Sequence, residues 1–211
     1  THEIRNSITP IASLSADLLK HLDPVPISRQ REGLEVINSQ AKNLTAFLDS
    51  YHRLTHLPEP EYKMVTIQAL FTKLERLLQA EPGSERIVYS GGKAGKSTDK
   101  ELQIYGDVNL VTLALINLIR NALQAVEGQR DGIVRVDAYA GATGRLFITI
   151  TDNGPGIPPE RLSAVFTPFY STKSGGSGIG LPISQRIMQL HGGQLSVLSI
   201  QNVRTTFKME F

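Results

Sequence analysis

Arg145-Leu146-Phe147-Ile148-Thr149-Ile150-Thr151 runs directly into Asp152-Asn153-Gly154-Pro155-Gly156-Ile157. The first seven residues alternate in the manner of a half-buried β-strand. The next six are turn residues, and an Asp-Gly turn is a common way to end a strand. The stretch carries a second meaning. An ionised carboxylate only accepts hydrogen bonds, and glycines on either side of a proline allow close backbone approach. A strand that delivers such a group to its end is also a binding-site pattern.

The neighbours of this stretch build a fold around it. Ile133 to Ala140 predicts a partner strand, joined through the turn Gly141 to Gly144. Val108 to Val126 predicts a helix rich in Leu and Ile. Ile179 to Leu190 predicts a last long helix, ended by Gly192-Gly193. Gln194 to Ile200 and Thr205 to Phe211 close as a hairpin. Upstream, Tyr62 to Thr66 predicts a short strand and Ile67 to Ala80 an amphipathic helix. Arg86 to Ser90 and Leu102 to Tyr105 read as strands around a polar loop. The expectation for residues 62–211 is an α/β sandwich, a mixed sheet with helices on one face, in a chain of α+β class.

Residues 1–57 read differently. Ile4, Ile8, Ile11, Leu18 and Leu22 fall at spacings of three, four or seven, and Asp23-Pro24-Val25-Pro26 breaks the pattern. Ser28 is placed to cap a second helix, along which Leu34, Ile37, Ala41, Leu44, Leu48 and Tyr51 repeat as a heptad seam. A hairpin with one apolar stripe encloses no core alone, so a homodimeric four-helix bundle is expected. Residues 58–61, within Leu57-Pro58-Glu59-Pro60-Glu61, form a stiff linker with little to bury.

Composition narrows the function. The chain has 211 residues, a formal net charge of +2 and no Cys. Disulfides and thiolate metal sites are excluded. The small charge, without a basic stripe interleaved with aromatics, argues against nucleic acid as a partner. By inspection, no apolar run reaches the roughly 18 residues that span a bilayer, and no direct membrane contact is expected. The chain opens within a motif and so reads as part of a longer protein.

Three further motifs stand in order around the Asp152 turn. Asn117-Leu118-Ile119-Arg120-Asn121-Ala122 places two amides four residues apart on one helical face. Asparagine is a mediocre helix former, so two within an apolar helix call for an explanation. An amide oxygen is a hard ligand suited to Mg²⁺, which keeps several waters and shares substrate phosphates. Phe166-Thr167-Pro168-Phe169 precedes Ser171-Thr172-Lys173 and the run Gly175 to Gly180. Such glycines free backbone amides to face phosphates, and the helix that follows adds its N-terminus. At the other end of the chain, His2-Glu3-Ile4-Arg5-Asn6 opens the first helix, with His2 off the apolar stripe and Asn6 on the same face. Glu3 is placed to take a proton from the imidazole or to orient it. Pro10, inside the helix, is expected to bend it.

Taken together, the four motifs resemble the catalytic core of a sensor histidine kinase across nearly the whole chain. The resemblance implies that His2 is phosphorylated, that Glu3 assists, and that Asn6 positions a water that removes phosphate from a partner's aspartate. It implies that Asp152 meets the exocyclic amine of adenine, with Gly154 and Gly156 close to the base. Asn121 would ligate Mg²⁺ and Asn117 would support the metal or the phosphates. Lys173, Gly176, Gly178, Gly180 and Leu181 would form the lid over the phosphates. ATP and Mg²⁺ are the implied cofactors, a response-regulator receiver domain and a second copy of the chain the implied partners, and the cytoplasm the implied location. Related ATPases of the gyrase and Hsp90 superfamily carry a glutamate where this chain has Asn117. An amide cannot accept the proton of an attacking water, which favours a kinase. An ATPase of that superfamily and a non-catalytic module that docks a regulator are the alternatives.

Three other patterns are set aside. Ser90-Gly91-Gly92-Lys93-Ala94-Gly95-Lys96-Ser97 approaches a P-loop but lacks its first glycine and precedes a strand rather than a helix. His52 and His56 have metal-ligand spacing without a third ligand. His191 reads as a helix terminus.

Overall fold

The computed structural model describes residues 2–21, 28–91, 101–172 and 177–211. The chain divides into two compact units, Thr1–Leu57 and Pro58–Phe211.

The first unit is a pair of helices, α1 (His2–His21) and α2 (Ser28–Thr55). Pro10 lies within α1. Ile8, early in α1, packs with Ala41 and Leu48, the latter late in α2, so the helices run antiparallel. That cluster buries only part of the apolar stripe. Ile11, Leu14, Leu18, Ile37, Leu44, Phe47 and Tyr51 remain exposed. The breaker Asp23-Pro24-Val25-Pro26 lies outside the described residues.

The second unit holds β1 (Lys63–Thr66), α3 (Ile67–Leu78), β2 (Ile87–Gly91), β3 (Gln103–Gly106), α4 (Val108–Ala125), β4 (Val134–Ala140), β5 (Leu146–Asp152), α5 (Pro159–Leu162), α6 (Gly180–Leu190), β6 (Gln194–Ile200) and β7 (Arg204–Glu210). Five strands form one sheet in the order β2-β4-β5-β7-β6. β2 runs parallel to β4 and the other neighbours are antiparallel, which makes the sheet mixed. The pair β1–β3 stands apart as a two-stranded antiparallel ladder.

Alternation puts one face of the sheet inside. Val134, Val136 and Ala138 of β4, Ile148 and Ile150 of β5, and Phe207 and Met209 of β7 are all buried, and register places them in rows. Asp152 is the last inward position of β5, opposite Thr205 of β7, and only 2% of it is exposed. The sheet's apolar face therefore ends in a carboxylate.

Helix α4 lies over that face, packed against α3, α6, β4 and β5. Leu110, Val111, Ala114, Leu115, Leu118, Ile119, Ala122 and Leu123 are buried, an apolar face too wide for a surface helix. Its 18 residues are long and apolar enough to cross a membrane by composition, contrary to the reading by inspection; half of it is buried within the domain, as befits a core helix. Four polar residues of its C-terminal half, Asn117, Arg120, Asn121 and Gln124, share the opposite side.

One acidic residue fixes the start of α4. Asp107 Oδ1 accepts the amides of Asn109 (2.8 Å) and Leu110 (3.0 Å), an N-cap. Its Oδ2 accepts the amide of Glu61 (2.8 Å), which ties the end of the linker to the domain. Asp107 N–H donates to His191 Nε2 (2.9 Å), so the ring proton sits on Nδ1, which meets Ile187 O at 2.7 Å. Tyr62 donates to Leu190 O (2.6 Å) and packs its ring against Tyr105 and His191. Thus His191 does terminate α6, and it also pins α4 and the linker. Burial alone would raise the Asp107 carboxyl pKa; the amides of Glu61, Leu110 and Asn109, with His191 nearby, outweigh it and hold it below the ordinary value.

Asp107→Ala is expected to destabilise the chain by about 1–2 kcal/mol, a fall in Tm of roughly 2–8 °C. A depressed carboxyl pKa contributes stability above the ordinary carboxylate range and loses it as pH falls through the folded value. The gap between wild type and variant should therefore narrow on acidification below about pH 4, which thermal melts across pH would record.

Candidate functional site

The polar side of α4, the end of β5 and the segments flanking α5 and opening α6 enclose a cleft of about 580 Å³. Asn117, Arg120, Asn121, Gln124 and Ala125 line one wall. Asp152, Thr205 and Phe207 contribute from the sheet. Pro155, Gly156, Ile157, Pro158, Arg161 and Val165 follow from the turn and α5, and Tyr170, Ser171, Thr172, Ser177, Gly178, Gly180 and Leu181 from the segment before and into α6.

The cleft has two distinguishable ends along α4. At Ala125 the helix meets the Asp152 turn. A side chain on Gly154 would come within 2.7 Å of Asp152 Oδ1 and 2.9 Å of Ala125 O. Gly154 N–H donates to Asp152 Oδ1 at 2.9 Å, which orients the carboxylate. At Asn117, by contrast, the helix meets the start of α6. Asn117 Nδ2 approaches Gly180 O at 3.4 Å, a long contact. Ala125 lies eight residues on from Asn117, roughly 12 Å of helix.

Sheet register supplies hydroxyl groups beside the carboxylate. Thr205 pairs with Asp152, and Ser199 pairs with Thr205. Ser199 Oγ and Thr205 Oγ1 lie 3.0 Å apart, and Ile157 N–H donates to Ser199 Oγ at 2.8 Å. The turn after Asp152 is thereby bound to β6, and Asn202 N–H donates to Pro155 O at 2.7 Å. These bonds fix the turn against β6 and the β6–β7 connection.

The segment before α6 is anchored at both described ends. Phe166 meets Phe207 edge-on, with ring centroids 6.5 Å apart. Phe169 N–H donates to Gly178 O at 3.0 Å. Gly178 has φ +64°, and a Cβ there would lie 2.6 Å from the Phe169 carbonyl carbon, so only glycine fits.

The structure thus brings Asn117, Asn121, Asp152, Gly156, Gly178, Gly180 and Leu181 to one cleft. Gly154 is not among its lining residues, and it is small because Asp152 and Ala125 fill the space beside it. Lys173 and Gly176 lie outside the described residues. His2, Glu3 and Asn6 fall on α1, and their side chains are outside the description. Sequence reading missed Arg120 and Gln124, although helical spacing puts both beside the asparagines. It missed Thr205 and Phe207 because the pairing of β5 with β7, distant in the sequence, leaves no local signal. Among the described residues no group of three His, Cys, Asp or Glu could hold a metal. An ion here would depend on phosphates, water and the amide oxygens of Asn117 and Asn121, a donor set that suits Mg²⁺. His52 and His56 stack on each other, 4.4 Å between rings, and hold no such cluster.

The profile of the family described as histidine kinase-, DNA gyrase B-, and HSP90-like ATPase matches residues 106–211, half of the chain. The chain belongs to this family. The match begins at the cap of α4 and takes in the whole cleft. Within the family the chain falls with the sensor histidine kinase catalytic cores. It is 31% identical over 206 residues to the sensor histidine kinase ZraS of Salmonella typhimurium, covering 98% of this chain and 43% of that protein. The chain thus spans less than half the length of this relative. The solved catalytic domain of histidine kinase ThkA is 25% identical, with a TM-score of 0.58, over 72% of this chain and 95% of that one. ThkA in complex with the response regulator protein TrrA matches over 100% of this chain and 58% of that one, at 22% identity and a TM-score of 0.63. Full-length ShkA in complex with AMPPNP matches over 99% and 43%, at 21% identity and a TM-score of 0.67. These last two likenesses are of fold.

Proposed function

We propose that this chain is a histidine kinase core that moves the γ-phosphoryl group of ATP to His2 and then to an aspartate of a receiver domain. The observation that carries the reading is the buried carboxylate of Asp152 at one end of a cleft whose wall is the Asn117–Asn121 face of α4. An acceptor-only group suits the exocyclic amine of adenine and would reject the carbonyl of guanine. Gly156 and Ile157 flank the base. Asn121, with Asn117 in support, holds Mg²⁺, which when bound neutralises phosphate charge. Lys173, Gly176, Gly178, Gly180 and Leu181 close on the phosphate tail, where α6 adds its N-terminus. The AMPPNP bound to ShkA and the regulator bound to ThkA, proteins of this fold, support both halves of the scheme.

In the first step an imidazole nitrogen of His2 forms a bond to phosphorus as the bond to the ADP oxygen breaks. Glu3 orients the ring and takes its proton. In the second, the N–P bond breaks as a regulator carboxylate takes the phosphoryl group. Positioning and charge neutralisation supply most of the catalysis. Residues 1–57 serve as the dimerisation and phosphotransfer hairpin. The exposed row Ile11, Leu14, Leu18, Ile37, Leu44 and Tyr51 supports a homodimeric four-helix bundle, since a second copy would cover it. The core works in the cytoplasm, where ATP is, with no nucleic acid as partner.

Incubation with γ-labelled ATP and Mg²⁺, followed by acid or base, tests the reading. Phosphohistidine is lost in acid and survives base. Steady ATP turnover without labelled protein would favour the ATPase instead. Asn6 is proposed to align a water on the regulator's phosphoaspartate, since an amide both donates and accepts. Asn6→Ala is expected to abolish any acceleration of regulator-phosphate decay that the intact chain gives in ADP. Equal decay with both proteins would leave Asn6 without that role.

A further inference from the structure

Arg120 stands on α4 between the two asparagines, and no motif above assigns it a task. It lines the cleft. Its Nη2 meets Glu81 Oε2 at 2.8 Å, with the Arg120 side chain half exposed and that of Glu81 mostly covered. Glu81 is itself fixed: its amide donates to Leu78 O at 2.9 Å, and Ser84 N–H donates back to Glu81 O at 3.1 Å. An isolated surface pair of this kind contributes little to stability. Its geometry has another consequence. A guanidinium carries five N–H donors in a rigid fork, and contact with Glu81 leaves most of them unspent.

The place of Arg120 along the cleft is decisive. Asp152 and Ala125 mark one end, Asn117 and Gly180 the other. Arg120 lies five residues from Ala125, roughly 7.5 Å of helix from the carboxylate end. Among the described lining residues the charged side chains are Arg120, Asp152 and Arg161. Arg120 is the cation that α4 itself supplies, and a polyphosphate lying along the helix away from Asp152 would pass it between the two asparagines. Guanidinium and phosphate pair through two parallel hydrogen bonds, a match an ammonium cannot reproduce.

We propose that Arg120 is a specificity residue that reads the phosphate tail of the nucleotide, and that Glu81 is a positioning residue that holds its guanidinium at the rim of the cleft. The inference rests on the nucleotide reading given above and adds a selector for tail length. Arg120 binds ATP more tightly than ADP and contributes nothing to adenosine. Glu81 acts only through Arg120.

Calorimetric titration of the 211-residue chain with ATP, ADP and adenosine, in Mg²⁺, tests this. Arg120→Gln should weaken ATP roughly tenfold or more, weaken ADP less, and leave adenosine unchanged. Arg120→Lys should recover part of the loss. Glu81→Ala should weaken ATP severalfold alone and have no further effect in the Arg120→Gln background, the mark of two residues acting as one unit. Retained adenosine binding shows that the cleft is intact. If Arg120→Gln leaves the ratio of ATP to adenosine affinity as in wild type, the role of Arg120 is overturned while the nucleotide site stands. If Glu81→Ala adds its full effect to Arg120→Gln, the positioning role is overturned. A wild type that binds none of the three removes the nucleotide site and this inference with it.

Discussion

Replacing His2 with Gln is expected to abolish incorporation of label from γ-labelled ATP and to leave the affinity for ATP within about twofold. Gln keeps the length and helix tolerance of the position but offers no basic ring nitrogen to form a bond to phosphorus. The two measurements separate because the two components belong to different units. His2 falls in Thr1–Leu57, whereas every residue lining the cleft falls in Pro58–Phe211. Each unit also has its own buried cluster, Ile8 with Ala41 and Leu48 in one and the sheet face with α3, α4 and α6 in the other. The substitution therefore changes none of the residues that line the cleft or form the core of the second unit. Label on the His2→Gln protein would move the phosphoacceptor elsewhere. Loss of ATP binding together with label would mean that residue 2 supports the cleft.

The elements legible in the sequence are those whose signal is local. The helix expected over Val108 to Val126 forms over Val108–Ala125, because an apolar period of three and four repeats for five turns. β6 spans the expected Gln194–Ile200, bounded by Gly193 and a turn. Pairing is what a sequence conceals. Leu102 to Tyr105 and Arg86 to Ser90 read as strands around one loop, yet β3 pairs with β1 while β2 joins β4 in parallel, outside the pattern a hairpin imposes. The same gap hides Thr205 from the site, since only the β5–β7 register brings it beside Asp152. α5, four residues long after Pro158, is too short for a periodic signal.

The glycines of the Asp152 turn show how one residue type can answer more than one demand. In the sequence, both suggest room for a ligand. Gly156 does line the cleft. Its φ of +71°, and the 2.6 Å that would separate a Cβ there from Ile200 O, require glycine for the fold alone. His191 likewise does end α6, while its ring accepts the amide at the cap of α4. In each case the sequence exposes the backbone demand and conceals the distant partner.

Asp152→Asn is expected to lower affinity for ATP by roughly ten- to a hundredfold, the cost of about 1.5–3 kcal/mol for losing a hydrogen bond to a charged group. The substitution is close to isosteric, and the amide oxygen can still accept the Gly154 N–H now bonded to Oδ1. The site is only 2% exposed, so a thermal melt is needed to read any cost to the fold apart from the cost to binding. What changes is the character of the group at the end of the sheet. A carboxylate only accepts; the amide adds two donors, and one of them faces the donating amine of adenine. A donor suits the carbonyl oxygen of guanine, so the ratio of ATP to GTP affinity should fall further than stability or shape would suggest. Calorimetry with both nucleotides, beside a thermal melt, separates these terms. Unchanged ATP affinity with an unchanged melt would place the base away from Asp152, and an equal loss of both nucleotides would make Asp152 a support of the cleft wall rather than its reader.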